Sequence, residues 1–135
     1  MPASPVNEDP DALDAVQVLL QQGEVAKALE TLNGLADTAQ SSAMGQYMRG
    51  VCLRLTRDFA NAESALRQLL DSNPSYGRGF QELGHLYRDA NMPIEALNAY
   101  ATACHLNPGL KASWAAQRDL IGKSSPERTA QINQR

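Results

Sequence analysis

The sequence predicts an all-α solenoid of stacked antiparallel helix pairs, about three and a half of them. The first observation behind this is a 34-residue period. Ala28, Ala62, Ala96 and Ala130 keep that step, as do Leu19, Leu53, Tyr87 and Ile121, and Val18, Cys52, Leu86 and Leu120. Gly50 pairs with Gly84, and Pro74 with Pro108. Independent rows in one register mark an internal repeat. The second observation is that apolar residues inside each period recur at steps of three and four, the spacing of one helix face. The third is that glycine, asparagine and proline fall between these runs at fixed places, where helices start and stop.

In chain order, residues 1–8 hold two prolines and polar side chains and are expected to be disordered. Residues 9–135 form the repeat domain, with copies near 9–42, 43–76 and 77–110 and a partial copy at 111–135. Helices are expected near 11–22, 24–37, 43–56, 58–71, 77–89, 93–106, 111–122 and 125–135. Asp9-Pro10 caps the first helix, Gly23 turns into the second, and Ser41-Ser42 caps the third. The clearest copy is 77–110. There Phe80, Leu83, Leu86 and Tyr87 share one face, and Gly84 on the same side lets the next helix approach closely. Asn91 reads as an N-cap and Pro93 as a first-turn residue. Ala96, Leu97, Tyr100, Ala103 and Cys104 form the second stripe. Asn107-Pro108 closes it, because a residue before proline disfavours the α region. One such hairpin cannot bury its apolar face alone, whereas stacked copies share a continuous core.

These residues resemble the tetratricopeptide repeat family. Its pattern of a large aromatic, Leu-Gly, Tyr, Ala, aromatic, Ala and Pro reads here as Phe80, Leu83-Gly84, Tyr87, Ala96, Tyr100, Ala103 and Pro108. The second copy departs at Gln46 and Arg49, the first lacks the closing proline, and the fourth departs at Gln117 and Arg118. The resemblance implies a right-handed superhelix whose first helices line a concave groove that binds proteins or peptides. The groove positions it implies are Leu13 and Gln17, then Met44, Tyr47, Met48, Val51 and Arg54. Arg78, Gln81, Glu82, His85 and Arg88 follow, then Ala112, Ala115, Ala116 and Asp119.

Within that set Tyr47, Met48 and Val51 point away from the stripe containing Cys52 and Leu53. An apolar cluster on that side is costly to expose without a use. With Arg54, Arg78 and Arg88 around it, it suits a partner bearing an apolar anchor and an acidic group. The candidate binding residues are therefore Tyr47, Met48, Val51, Arg54, Arg78, Gln81, His85 and Arg88. The competing reading packs Tyr47 and Met48 against the neighbouring hairpin. One subset of the family grips acidic chaperone tails through a clamp of Lys, Asn, Asn, Lys and Arg. Those positions read Leu13, Gln17, Met48, Arg78 and Glu82 here, or Tyr47, Val51, Glu82, Ala112 and Ala116 one repeat later. Neither is a clamp, so a chaperone tail is not the expected partner.

Composition excludes other classes. The chain has 135 residues, 43% hydrophobic, and a formal charge of −3. That balance gives no electrostatic reason to bind nucleic acid or an anionic membrane. No run approaches the roughly 20 apolar residues of a membrane span, and MPASPVNEDPDALD has neither the charge nor the apolar core of a secretory signal. A cytoplasmic protein is expected. No phosphate-cradling glycine loop and no metal-ligand cluster appears, so neither cofactor nor enzyme activity is expected. His85 reads as a groove or surface residue and His105 as solvated. Cys52 and Cys104 fall on core rows and read as small hydrophobes.

Two alternatives remain at this level. The stretch Leu106–Trp114 looks like repeat ends in bacterial proteins that fuse such repeats to a sulfotransferase. In that case the module presents a protein substrate to a separate catalytic domain. The fourth copy stops at Arg135, partway through its second helix, which fits either a polar capping helix or a piece of a longer chain. The second alternative is pairing of two copies through the C-terminal end near Trp114.

Overall fold

The computed structural model describes residues 12–124, and among them are eight helices. They are α1 (Ala12–Gln21), α2 (Val25–Asn33), α3 (Asp37–Ser41), α4 (Ala43–Leu55), α5 (Phe59–Ser72), α6 (Gly77–Asp89), α7 (Pro93–Leu106) and α8 (Lys111–Ser124). The chain divides into two compact units, Met1–Pro74 and Ser75–Arg135. In the first, α1 packs on α2, and α4 packs on α5 and also on α1, α2 and α3. In the second, α7 packs against both α6 and α8. The expected disorder of residues 1–8, the Asp9-Pro10 cap and a helix at 125–135 lie outside the described residues.

The second helices bury the same face in each copy. Ala62, Ala65, Leu66, Leu69 and Leu70 are buried on α5; one period later Ala96, Ala99, Tyr100, Ala103 and Cys104 are buried on α7. Steps of three, four, seven and eight place each set on one side of its helix. Both helices stop where the sequence expects. Asn73 and Asn107, each before a proline, leave the α region with φ −136° and −144°.

The turns between paired helices also repeat. Gly23, Arg57 and Asn91, one period apart, have φ of 79°, 64° and 63°. Behind each, the next N–H reaches back to the helix it has left. Glu24 donates to the Leu19 carbonyl, Asp58 to Leu53 and Met92 to Tyr87, each at 2.8 Å. This left-handed closure satisfies carbonyls at the helix end. Asn91 therefore ends α6 and does not cap α7. Met92 occupies that cap, and Pro93 takes the first turn of α7.

The first copy departs from the other two. A helix over 24–37 is expected, but α2 stops at Asn33. Gln40 stands where later copies carry the closing proline, so the chain is free to form the short helix α3. The Gln40 amide donates to the carbonyls of Asn33 at 3.1 Å and Leu35 at 2.8 Å, covering the open end of α2. Leu35 and Ala36 keep their repeat positions and stay buried despite the break. Ser42 then starts α4, its hydroxyl accepting the Gly45 N–H at 3.0 Å.

At Gly50 and Gly84 the paired helices α4–α5 and α6–α7 come close enough to leave no space for a Cβ. A Cβ on Gly50 would lie 2.6 Å from a Leu66 methyl, and one on Gly84 would lie 2.6 Å from the Tyr100 ring.

Candidate functional site

Met44, Tyr47 and Val51 lie at steps of three and four along α4, and all are half-buried. Met44 and Tyr47 rest, with Leu13 of α1, on the core of the first unit. Arg54 continues the stripe. One period on, the equivalent positions of α6 are Arg78, Gln81, His85 and Arg88. The same face is thus apolar in the first unit and polar in the second.

Met48 does not belong to that face. It is 3% exposed and packs in the core with Val16, Leu32, Leu35 and Cys52. Glu82 and Ala116, its equivalents in the next two copies, are 3% and 8% exposed. The position is inward in these three copies, although Asp14 at the same place on α1 is exposed, and this corrects the assignment of Met48, Glu82 and Ala116 to a binding surface. A step of one residue turns about 100° around a helix, enough to carry Met48 from the stripe to the core.

The polar residues of α6 are already engaged. His85 Nδ1 and the Tyr100 hydroxyl are 2.5 Å apart, with the two rings edge to face at 5.3 Å. Gln81 Oε1 accepts from the fully buried Ser113 hydroxyl at 2.7 Å, tying α6 to α8. Arg88 donates through Nε and Nη2 to Asp89, both at 3.1 Å. Arg54 and Arg78 likewise have partners within the chain. Among the described residues no group of three or more His, Cys, Asp or Glu is arranged to hold a metal. No described helix is long and apolar enough to cross a membrane. Cys52 and Cys104 are buried. Burial pushes the Cys104 thiol up from its ordinary value, and a Gln117 N–H donated to its sulfur at 3.2 Å pulls part of the way back.

Two open pockets lie away from the stripe, one in each unit. The first, about 360 Å³, is bordered by Asp37, Gln40, Gln46 and Arg49, with Gln68 opposite. The second, about 420 Å³, is bordered by His105, Pro108, Trp114 and Gln117, beside Cys104. These four pairs are two periods apart, so both pockets occupy the same niche of the repeat. In the first it is polar. In the second it is partly apolar, with Trp114 44% exposed and its indole N–H donated to the Pro108 carbonyl at 2.9 Å. The departures at Gln46, Arg49 and Gln117 from the family pattern were the only sequence signal for this niche.

No family model matches the chain, and no curated protein is significantly similar to it in sequence. Solved structures are similar to it in fold. The first tetratricopeptide (TPR) domain of human RPAP3 superposes with a TM-score of 0.77 at 17% identity, over 88% of this chain and 94% of that one. The first TPR of Spaghetti (RPAP3), solved bound to the HSP90 peptide SRMEEVD, gives 0.73 at 19% identity, over 88% and 96%. MamA from Desulfovibrio magneticus RS-1 gives 0.75 at 18% identity, over 92% and 71%. The fold is that of a tetratricopeptide-repeat domain, an all-α solenoid of helix pairs.

Proposed function

We propose that this chain is a protein-interaction module that holds a protein or peptide segment on the first helices of its repeats. The observation that carries this reading is the half-buried apolar stripe Met44, Tyr47 and Val51 on α4, in a fold that in Spaghetti holds a peptide. Tyr47 serves as the apolar anchor, Arg54 lies beside it, and Arg78, Gln81, His85 and Arg88 offer the equivalent polar face in the second unit. A chaperone tail is not the expected partner. Two of the five clamp positions, Met48 and Glu82, are buried, and neither is a clamp residue.

Binding at about micromolar Kd corresponds to roughly 8 kcal/mol. Tyr47→Ala is expected to cost about 2 kcal/mol of it, near 30-fold in affinity. Arg88→Glu is expected to weaken an acidic partner. The test is capture of partners from native lysate on the wild-type chain and on each folded variant, followed by titration of the captured protein. Equal affinity for all three removes the stripe from the reading. As part of a larger transferase, a reading that rests on residues 106–114, the same face would present the substrate protein.

A second reading, pairing of two copies, is favoured by the exposed Trp114 beside its pocket. It predicts a mass that rises with concentration in sedimentation and stays monomeric in Trp114→Ala. A wild-type mass independent of concentration removes it.

A further inference from the structure

The polar niche of the first unit contains a fixed cation. Arg49 donates from Nη1 to Asn33 Oδ1 at 2.6 Å and from Nη2 to Gln40 Oε1 at 2.7 Å. Gln40 cannot turn away, because its own N–H groups are committed to the carbonyls of Asn33 and Leu35. The guanidinium is thus held in place by two neutral amides, and its hydrogen-bond partners among the described residues include no carboxylate. A guanidinium has five N–H donors, and these two bonds leave the rest of its fork for the pocket. A half-buried Arg whose hydrogen-bond partners are neutral can take an anionic partner on its remaining donors, and a carboxylate is the group its planar fork fits best.

The rest of the lining narrows the ligand. Gln46 and Gln68 offer amide donors and acceptors, the chemistry of a peptide group, and Ala65 offers a small apolar wall. Asp37 stands on the same rim. Its charge disfavours a dianion such as phosphate more than a single carboxylate.

We propose that this niche of α3, α4 and α5 is a second recognition site, in which Arg49 holds the carboxylate of an acidic side chain from a partner protein. The site is independent of the stripe on α4, since Arg49 lies about 200° around that helix from Tyr47.

The test uses the full chain, labelled with ¹⁵N, and follows the Arg49 Nε–Hε resonance, identified by its loss in Arg49→Gln. The probes are acetyl-glutamate amide, its neutral counterpart acetyl-glutamine amide, and inorganic phosphate, at constant ionic strength. The expected result is a saturable shift with the glutamate probe and binding at least about tenfold weaker with the glutamine probe. Gln46→Glu places a carboxylate three residues before Arg49 on the same helix and is expected to abolish the shift in a folded chain. Tyr47→Ala should leave it unchanged, which separates this site from the stripe. Three results overturn the proposal: no saturable shift, equal binding of the two amides, or tighter binding of phosphate than of the glutamate probe. Persistence of the shift in Gln46→Glu does so as well, and if Arg49→Gln fails to fold the resonance is identified instead by its loss in Arg49→Lys.

Discussion

Tyr100→Ala is expected to destabilise the chain by about 3–5 kcal/mol, the usual cost of emptying a large aromatic site in a core. Tyr100 is fully buried. Its ring lies against Gly84, and its hydroxyl meets His85. Truncation leaves a cavity that neither α6 nor α7 can close without moving its backbone. Against a total stability of about 5–15 kcal/mol, that is a large share. Urea unfolding followed by Trp114 fluorescence reads it directly, because this sole tryptophan lies in the same unit. Tyr100→Phe keeps the ring and is expected to lose only about 0.5–1.5 kcal/mol, the share of a hydrogen bond. A loss under about 1 kcal/mol for the alanine variant would show that the ring is not the keystone of α6–α7 packing.

Gly84→Ala is expected to cost about 1–3 kcal/mol, although alanine is the better helix former by about 1 kcal/mol. The new Cβ would sit 2.6 Å from Cδ1 and Cε1 of the Tyr100 ring, which is fully buried and has no room to retreat. Steric cost and helix preference oppose each other here, so the sign is the test. In the Tyr100→Ala background the clash is gone, and Gly84→Ala should become neutral or stabilising by up to about 1 kcal/mol. A penalty unchanged by that background would place its origin elsewhere.

The repeat was legible because burial and period coincide in the second and third copies, whereas in the first Val18 is 47% exposed where Cys52 and Leu86 are buried. The buried sets of α5 and α7 differ by one period at every position, and both glycines of close approach sit on the rows that announced the repeat. What escaped has physical causes. The break at Asn33 depends on the Gln40 side chain reaching back to α2, a contact that no periodicity encodes. Asn91 carries the same residue type for a cap and for a left-handed turn, and only its φ distinguishes them. Met48 was misplaced because α4 packs on α1, α2, α3 and α5, so its buried arc is wider than one stripe. Glu82 reads as exposed because it is charged, yet its repeat position is inward. Tyr47 and Val51 were expected from sequence to share a face and are half-buried along α4, while the fixing of Arg49 by two amides depends on side-chain contacts that no periodicity encodes.

The placement of the two cysteines has a practical corollary for handling the protein. Cys52 and Cys104 are the only thiols of the chain, and both are enclosed in its cores. A folded molecule therefore hides the Cys52 thiol entirely and leaves Cys104 4% exposed at the lining of the second pocket, so disulfide-linked multimers through Cys52 arise only from molecules that have opened. On an unreduced gel such a ladder is a record of past unfolding, chemically distinct from any reversible association of intact copies.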